Sequence, residues 1–217
     1  VDCETVYFHG NNKSISELEL AVDNGIRIML DNEQELQHIS QVMEGRPERA
    51  RILVRLKPEI EAHTHEYIKT GQIDSKFGID KQDLMAVIRQ IVEHPQMDFL
   101  GIHAHIGSQI FDVDPYHDLV TMMVTTMASI QSELGVAVQE LDLGGGFGIQ
   151  YIPSDDPPDI PVVLEKMVSD LKAACVQHGL ELPKLIVEPG RSIAATAGLT
   201  VYTVGTVKSI PGIKDYV

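Results

Sequence analysis

The stretch ELDLGGGFGI, Glu140–Ile149, decides the fold. It begins as a short β-rich run, Glu140–Leu143, and breaks into three consecutive glycines, Gly144-Gly145-Gly146. Glycine lets a backbone turn tightly, so that successive N–H groups converge on an anion. Such a turn after a strand occurs in both open and closed α/β sheets, and its place in the chain separates the two. A doubly wound dinucleotide fold carries its glycine loop after the first strand. Here the first β-rich run, Thr5–His9, is followed by Gly10-Asn11-Asn12-Lys13-Ser14, which is not a G-x-G-x-x-G loop. The glycine cluster comes instead after the fifth run. In (β/α)8 barrels a phosphate site is often built by the loops after strands 7 and 8.

Working outward, β-rich runs recur at Thr5–His9, Ile26–Leu30, Arg51–Leu56, Phe99–His103, Glu140–Leu143 and Leu185–Glu188. Helical periodicity fills the gaps at Ser14–Asn24, Glu33–Met43, Asp80–Glu93, Tyr116–Leu134 and Ile160–His178. Ser14 with Glu17 fits a capping box, and Asp80 is expected to cap its helix. Strands alternating with helices predict a parallel sheet covered by helices. With the glycine cluster on strand 7, the six runs are strands 3 to 8 of a TIM-type barrel, and strands 1 and 2 are expected upstream of Val1. After Arg191 the pattern changes. Leu199–Ile210 is β-rich with no helix behind it and is expected to begin a separate β domain. The expected organisation is a partial (β/α) barrel over residues 1–195 and the start of a truncated β domain over 196–217.

Composition narrows the chemistry. The 217 residues hold 17 Lys+Arg against 32 Asp+Glu, a net charge of −15, which opposes general nucleic-acid binding because phosphate backbones need clustered cations. No apolar run is long enough to span a membrane. Cys3 and Cys175 are too few for a disulfide framework, and a reducing, cytoplasmic setting is expected.

Chemically loaded residues gather at predicted strand ends. His103 and His105 share a strand face and could ligate a metal or stack on a planar cofactor. Glu188 and Arg191 flank the Pro189-Gly190 turn, where a carboxylate could bond a ring nitrogen and a guanidinium could hold an anion. His63, His65 and Glu66 lie in a long polar loop that could be functional.

Taken together, GNNKS (Gly10–Ser14), AHTHEYIKTG with DSKFGI (62–71 and 74–79), GIHAHIGSQIFD (Gly101–Asp112), ELDLGGGFGI and EPGRSI (Glu188–Ile193) resemble the fold-type III, pyridoxal-phosphate-dependent amino-acid decarboxylases. The wording of THEY, SKFGI and HIGSQ favours the branch that acts on meso-2,6-diaminoheptanedioate over the ornithine and arginine branches. The resemblance implies that pyridoxal 5'-phosphate is the cofactor and that the parent protein releases carbon dioxide to give L-lysine, as a homodimer. It implies that His105 stacks on the pyridine ring and that Ser108 lies near the cofactor. Gly144, Gly145 and Gly146 are to give N–H groups to the phosphate. Glu188 is to bond the pyridine nitrogen, while Pro189, Gly190 and Arg191 close the phosphate region. Arg191 is also a candidate for the substrate carboxylate. The family's Schiff-base lysine lies upstream of Val1, and Lys13, Lys57 and Lys76 do not match its motif, so the 217 residues alone are expected to be inactive. Two other readings stand beside this one: a non-catalytic pyridoxal-phosphate or phosphate binder, and a metal-dependent barrel hydrolase using His103 and His105. An isolated fragment without function of its own is a further one.

Overall fold

The computed structural model describes residues 2–58 and 76–217. The motif residues His63, His65 and Glu66 lie outside the described residues. In chain order the elements are β1 (Tyr7–Phe8), α1 (Ile15–Asp23), β2 (Arg27–Leu30), α2 (Glu33–Met43), β3 (Ala50–Arg55), α3 (Leu84–Glu93) and β4 (Met97–His103). There follow α4 (Asp114–Leu134), β5 (Glu140–Gly145), α5 (Ile160–His178), β6 (Lys184–Glu188), the short α6 (Gly190–Ala194), β7 (Lys208–Ile210) and β8 (Lys214–Tyr216). Strands β1 to β6 form one parallel sheet in sequence order, and β7 and β8 form an antiparallel hairpin.

The parallel sheet has two chemically different faces. Alternate residues Ile28, Leu30, Ile52, Val54, Ile102, Leu141 and Leu143 join the helices in the hydrophobic core. Their strand neighbours Arg27, Arg51, Arg55, His103, Glu140, Asp142, Lys184 and Glu188 fall on the opposite face, as the two-residue pleat requires.

That polar face is concave. In a flat sheet β1 and β5 would stand about 19 Å apart, four strand spacings. Yet the Tyr7 hydroxyl donates to Glu140 Oε2 at 2.9 Å and accepts from Lys184 Nζ at 3.0 Å. The sheet curls, and its first and last strands meet across the interior as in the wall of a barrel. Arg27 pairs with Glu140 at 2.7 Å in this inner layer. Burial alone would raise the Glu140 carboxyl, but hydrogen bonds from Arg27 and Tyr7 outweigh it and hold it below its ordinary range.

The predicted capping box is present at Ser14 and Glu17. Two local expectations need correction. Asp80 does not cap α3, which begins at Leu84 after Asp83; its carboxylate is held by Lys57 Nζ at 2.8 Å instead. Within Leu199–Ile210, only Lys208–Ile210 pairs as a strand, with β8 as its partner. Leu199, Val201, Tyr202 and Val204 are exposed, so no packing draws that segment into a sheet.

Candidate active site at the strand C-termini

Parallel strands bring all their C-terminal ends to one rim, and this rim collects the charged residues of the concave face. His9 follows β1, Asp31 follows β2, Arg55 ends β3, His103 ends β4, Asp142 lies in β5 and Glu188 ends β6. In the sheet register Arg55 stands beside His103, and His103 beside Asp142.

Glu188 is flanked by two imidazoles. His9 Nε2 lies 2.6 Å from Glu188 Oε1, and His103 Nε2 lies 3.7 Å from Oε2. Partial burial works against the Glu188 charge, but the two imidazoles overcome it and set its pKa well below the usual carboxylate range. His103 is 1% exposed and its two ring nitrogens have no hydrogen-bond partner. Burial pushes its pKa down to about 4 against the opposing pull of Glu188, so the ring is neutral at pH 7. Asp142 is pushed up to about 7, first by burial and then by the charge of Glu188, while the Gly144 N–H donating to Oδ1 at 2.8 Å opposes the rise.

His105 stands over the glycine turn. The Gly145 N–H donates to its Nδ1 at 3.3 Å, which makes Nδ1 an acceptor and places the ring proton of the neutral form on Nε2. Burial, followed by the nearby Arg55 charge, lowers its pKa. The turn itself demands glycine. A Cβ on Gly145 would come 2.0 Å from the Glu188 carbonyl oxygen, and one on Gly146, at φ 88°, would come 2.3 Å from that of Gly107. The β4 loop is strapped to the same turn. Gln109, at φ 59°, donates to the Ile149 carbonyl at 2.7 Å and accepts from the Ile149 N–H at 3.1 Å. A non-glycine residue in this region is held there by its surroundings.

Arg191 reaches Ser108 Oγ from Nε at 3.2 Å and from Nη2 at 2.6 Å, while Nη1 donates to the Tyr151 hydroxyl at 2.5 Å. The structure therefore joins Ser108 to Arg191 and His105 to the glycine turn, and brings Glu188 near His103 without a hydrogen bond. Pro189 precedes α6, and Ser192 Oγ donates back to its carbonyl at 2.8 Å.

The metal reading that pairs His103 with His105 is not what the geometry assembles. Among the described residues, the three ligand atoms that come within 4.8 Å of one another belong to His9, His103 and Glu188. Lys13 is equally ill placed for imine chemistry. It is sealed against Glu35 at 2.8 Å and against the Gly10 and Met29 carbonyls, both at 2.7 Å. A cavity of about 600 Å³ lies away from this rim, against Met127, Val138, Leu180 and Pro183, and brings in a single ionisable side chain, Glu181.

Sequence reading missed His9, Arg55 and Tyr151. Arg55 is mostly buried, 3.6 Å from Asp31, with its guanidinium 4.5 Å from the Phe77 ring centroid. An arginine at the charged end of an apolar run was a signal for it; His9 and Tyr151 carry none in their local sequence.

Residues 1–195 match the pyridoxal binding domain of pyridoxal-dependent decarboxylases. The chain belongs to the pyridoxal-dependent decarboxylase family. Within this family it is similar to the diaminopimelate decarboxylase of Synechocystis sp., 44% identical over 99% of the chain and 45% of that protein. The Bacillus subtilis diaminopimelate decarboxylase is 37% identical over 99% of the chain and 49% of that protein. Among solved structures, a Helicobacter pylori diaminopimelate decarboxylase mutant complexed with L-lysine superposes with a TM-score of 0.80. It is 26% identical over 89% of this chain and 47% of that one. The M. jannaschii enzyme in co-complex with L-lysine gives 0.79 at 29% identity, over 97% of this chain and 49% of that one. The chain spans about half the length of the curated relatives it matches. Those solved structures place the curled sheet as part of a TIM-type barrel.

The rim of this pyridoxal-dependent decarboxylase domain fits the group that the family takes. A buried histidine, His103, has both nitrogens unpartnered, Asp142 Oδ2 is buried without a partner, and the turn at Gly145 and Gly146 has no room for a side chain.

Proposed function

We propose that this chain forms most of the cofactor-binding barrel of an enzyme that removes carbon dioxide from meso-2,6-diaminoheptanedioate to yield L-lysine. The observation that carries the reading is one rim holding an anionic Glu188, an oriented His105 and a glycine turn, with Arg191 bonded to Ser108. Pyridoxal 5'-phosphate, when bound, supplies an electron-accepting ring for the electron pair left by the departing carboxylate. Glu188 keeps a proton on the ring nitrogen, for which its low pKa suits it. His105 offers a fixed ring face for stacking. Gly144, Gly145, Gly146, Ser108, Gly190 and Arg191 frame the phosphate, with Pro189 setting the turn. The Gly144 and Gly145 N–H groups are already engaged by Asp142 and His105, so their part is to hold the turn open. Arg191 also faces the substrate carboxylate. The covalent lysine lies outside these residues. The barrel ends near residue 195 and a β domain follows; the protein works as a cytoplasmic homodimer.

The test uses the complete polypeptide that contains this segment, purified with pyridoxal phosphate and reduced with borohydride. The expected result is a reduced adduct on a lysine outside the 217 residues, with carbon dioxide released from meso-2,6-diaminoheptanedioate. Cofactor binding with neither adduct nor carbon dioxide would leave a non-catalytic binder.

A further inference from the structure

The roles above use Glu188 but give nothing to His9. His9 is the first residue past β1, and its ring meets Glu188 across the mouth of the curled sheet at 2.6 Å. Its other contact is with the His103 ring, edge to face, with centroids 5.0 Å apart and planes at 74°. The imidazole is thus braced on one side and brings Nε2 within 2.6 Å of Oε1 on the other, close enough for a turn of the ring to align an N–H that forms no hydrogen bond in this structure. We propose that His9 is a positioning residue that donates Nε2–H to Glu188 and fixes it as an oriented carboxylate for the ring nitrogen. This rests on the reading that Glu188 serves that nitrogen.

The reason is the company Glu188 keeps. Facing it are His9 after β1, Arg55 on β3, His103 and His105 at and beyond the end of β4, and Asp142 on β5, while Asp31 after β2 pairs with Arg55. Arg55 gives part of its charge to Asp31 and Asp142. His103 is neutral and 3.7 Å away, too long for a hydrogen bond. Asp142, fully buried, competes for charge with half-buried Glu188, because two neighbouring carboxylates do not both ionise readily near neutral pH. A donor on Glu188 biases the contest: it favours the charge on Glu188 and the proton on Asp142. Without His9 the proton is shared, and the ring nitrogen loses its full anionic partner.

The experiment compares His9→Leu, which removes the donor, with His9→Gln, whose amide N–H extends to about the same reach, in the complete polypeptide. Two readouts are taken. The first is the Glu188 carboxyl in cofactor-free protein, followed by 13C NMR through a pH titration and assigned with Glu188→Gln. The second is pyridoxal phosphate affinity together with the pH dependence of its visible absorbance. His9→Leu is expected to raise the Glu188 midpoint and to weaken cofactor binding about tenfold, the worth of one charge-assisted hydrogen bond. His9→Gln should restore most of both. Circular dichroism checks the fold; if His9→Leu does not fold, His9→Asn, too short to reach Oε1, replaces it. An unmoved Glu188 midpoint, or a His9→Gln protein as impaired as His9→Leu, would overturn the proposal. Wild-type protein that takes no pyridoxal phosphate would sink the cofactor reading, and the NMR titration would still decide the role of His9.

Discussion

Glu188 sits at the end of a strand where partial burial works against a carboxylate's charge. Two imidazoles from distant parts of the chain outweigh it. Glu188→Gln keeps the shape and removes the charge, so the complete enzyme should bind pyridoxal phosphate but lose at least about a hundredfold in decarboxylation, measured by carbon dioxide release. His103 makes a different prediction, about acid. Its pKa falls on folding from the usual value near 6.5 to about 4. As pH drops below 6.5 the unfolded chain takes the proton first, so stability is full above 6.5, declines towards pH 4, and flattens below it. His103→Gln should shrink that decline in a series of thermal melts, and an unchanged slope would refute the assignment. At this scale the sequence was half legible. Ser108 came only from the family resemblance, whereas Glu188 and Arg191 stood out because they flank a Pro-Gly turn, and His105 because it shares a strand face with His103. His9 did not, because its meaning comes from Glu188, which meets it only once the sheet has curled. Arg55 and Tyr151 likewise acquire roles from Asp31 and Arg191, far away in the chain.

Helices and strands were easier to read than their ends. Each of the six β-rich runs between Thr5 and Glu188 became a strand of the parallel sheet, because one row of apolar side chains packs against the helices and buries the backbone between them. The boundary of α3 moved because Lys57 takes the Asp80 carboxylate, a tertiary contact that overrides the local capping signal. The loop after β1 shows how such contacts fix an element. Lys13 is buried and ties the Gly10 and Met29 carbonyls to Glu35, whose other oxygen accepts from the Asp31 N–H at 3.3 Å. Burial pushes the Glu35 carboxyl up, and Lys13 opposes it. Lys13→Met would strand that carboxylate, with an expected loss of about 3–5 kcal/mol in urea unfolding. Adding Glu35→Leu should recover much of it, since the cost lies mainly in the unpaired charge. At the glycine turn, Gly146→Ala must displace the Gly107 carbonyl or unmake the turn. It should lower the melting temperature and weaken pyridoxal phosphate binding together.

At the scale of the whole molecule, the described parallel sheet ends in two strands, β1 and β6, each paired on one side. Side chains bridge the gap between them, through Tyr7 with Lys184 and His9 with Glu188, but no backbone ladder does. Open edges of this kind invite pairing with other chains. The 217 residues produced alone should elute as large assemblies in gel filtration and form no lysine, whereas the complete polypeptide should elute as a defined species. A sharp monomeric peak from the short polypeptide would contradict this. The two-faced sheet also shapes how the protein can change. Along the outward row, Ile28, Val54 or Leu141 answers to volume and hydrophobicity, so single exchanges among aliphatic residues are tolerable. Along the inward row, polar partners are fixed together: Arg27 and Tyr7 with Glu140, His9 and His103 with Glu188. A library of variants selected for function should therefore show independent drift on one side of each strand and coordinated substitutions on the other.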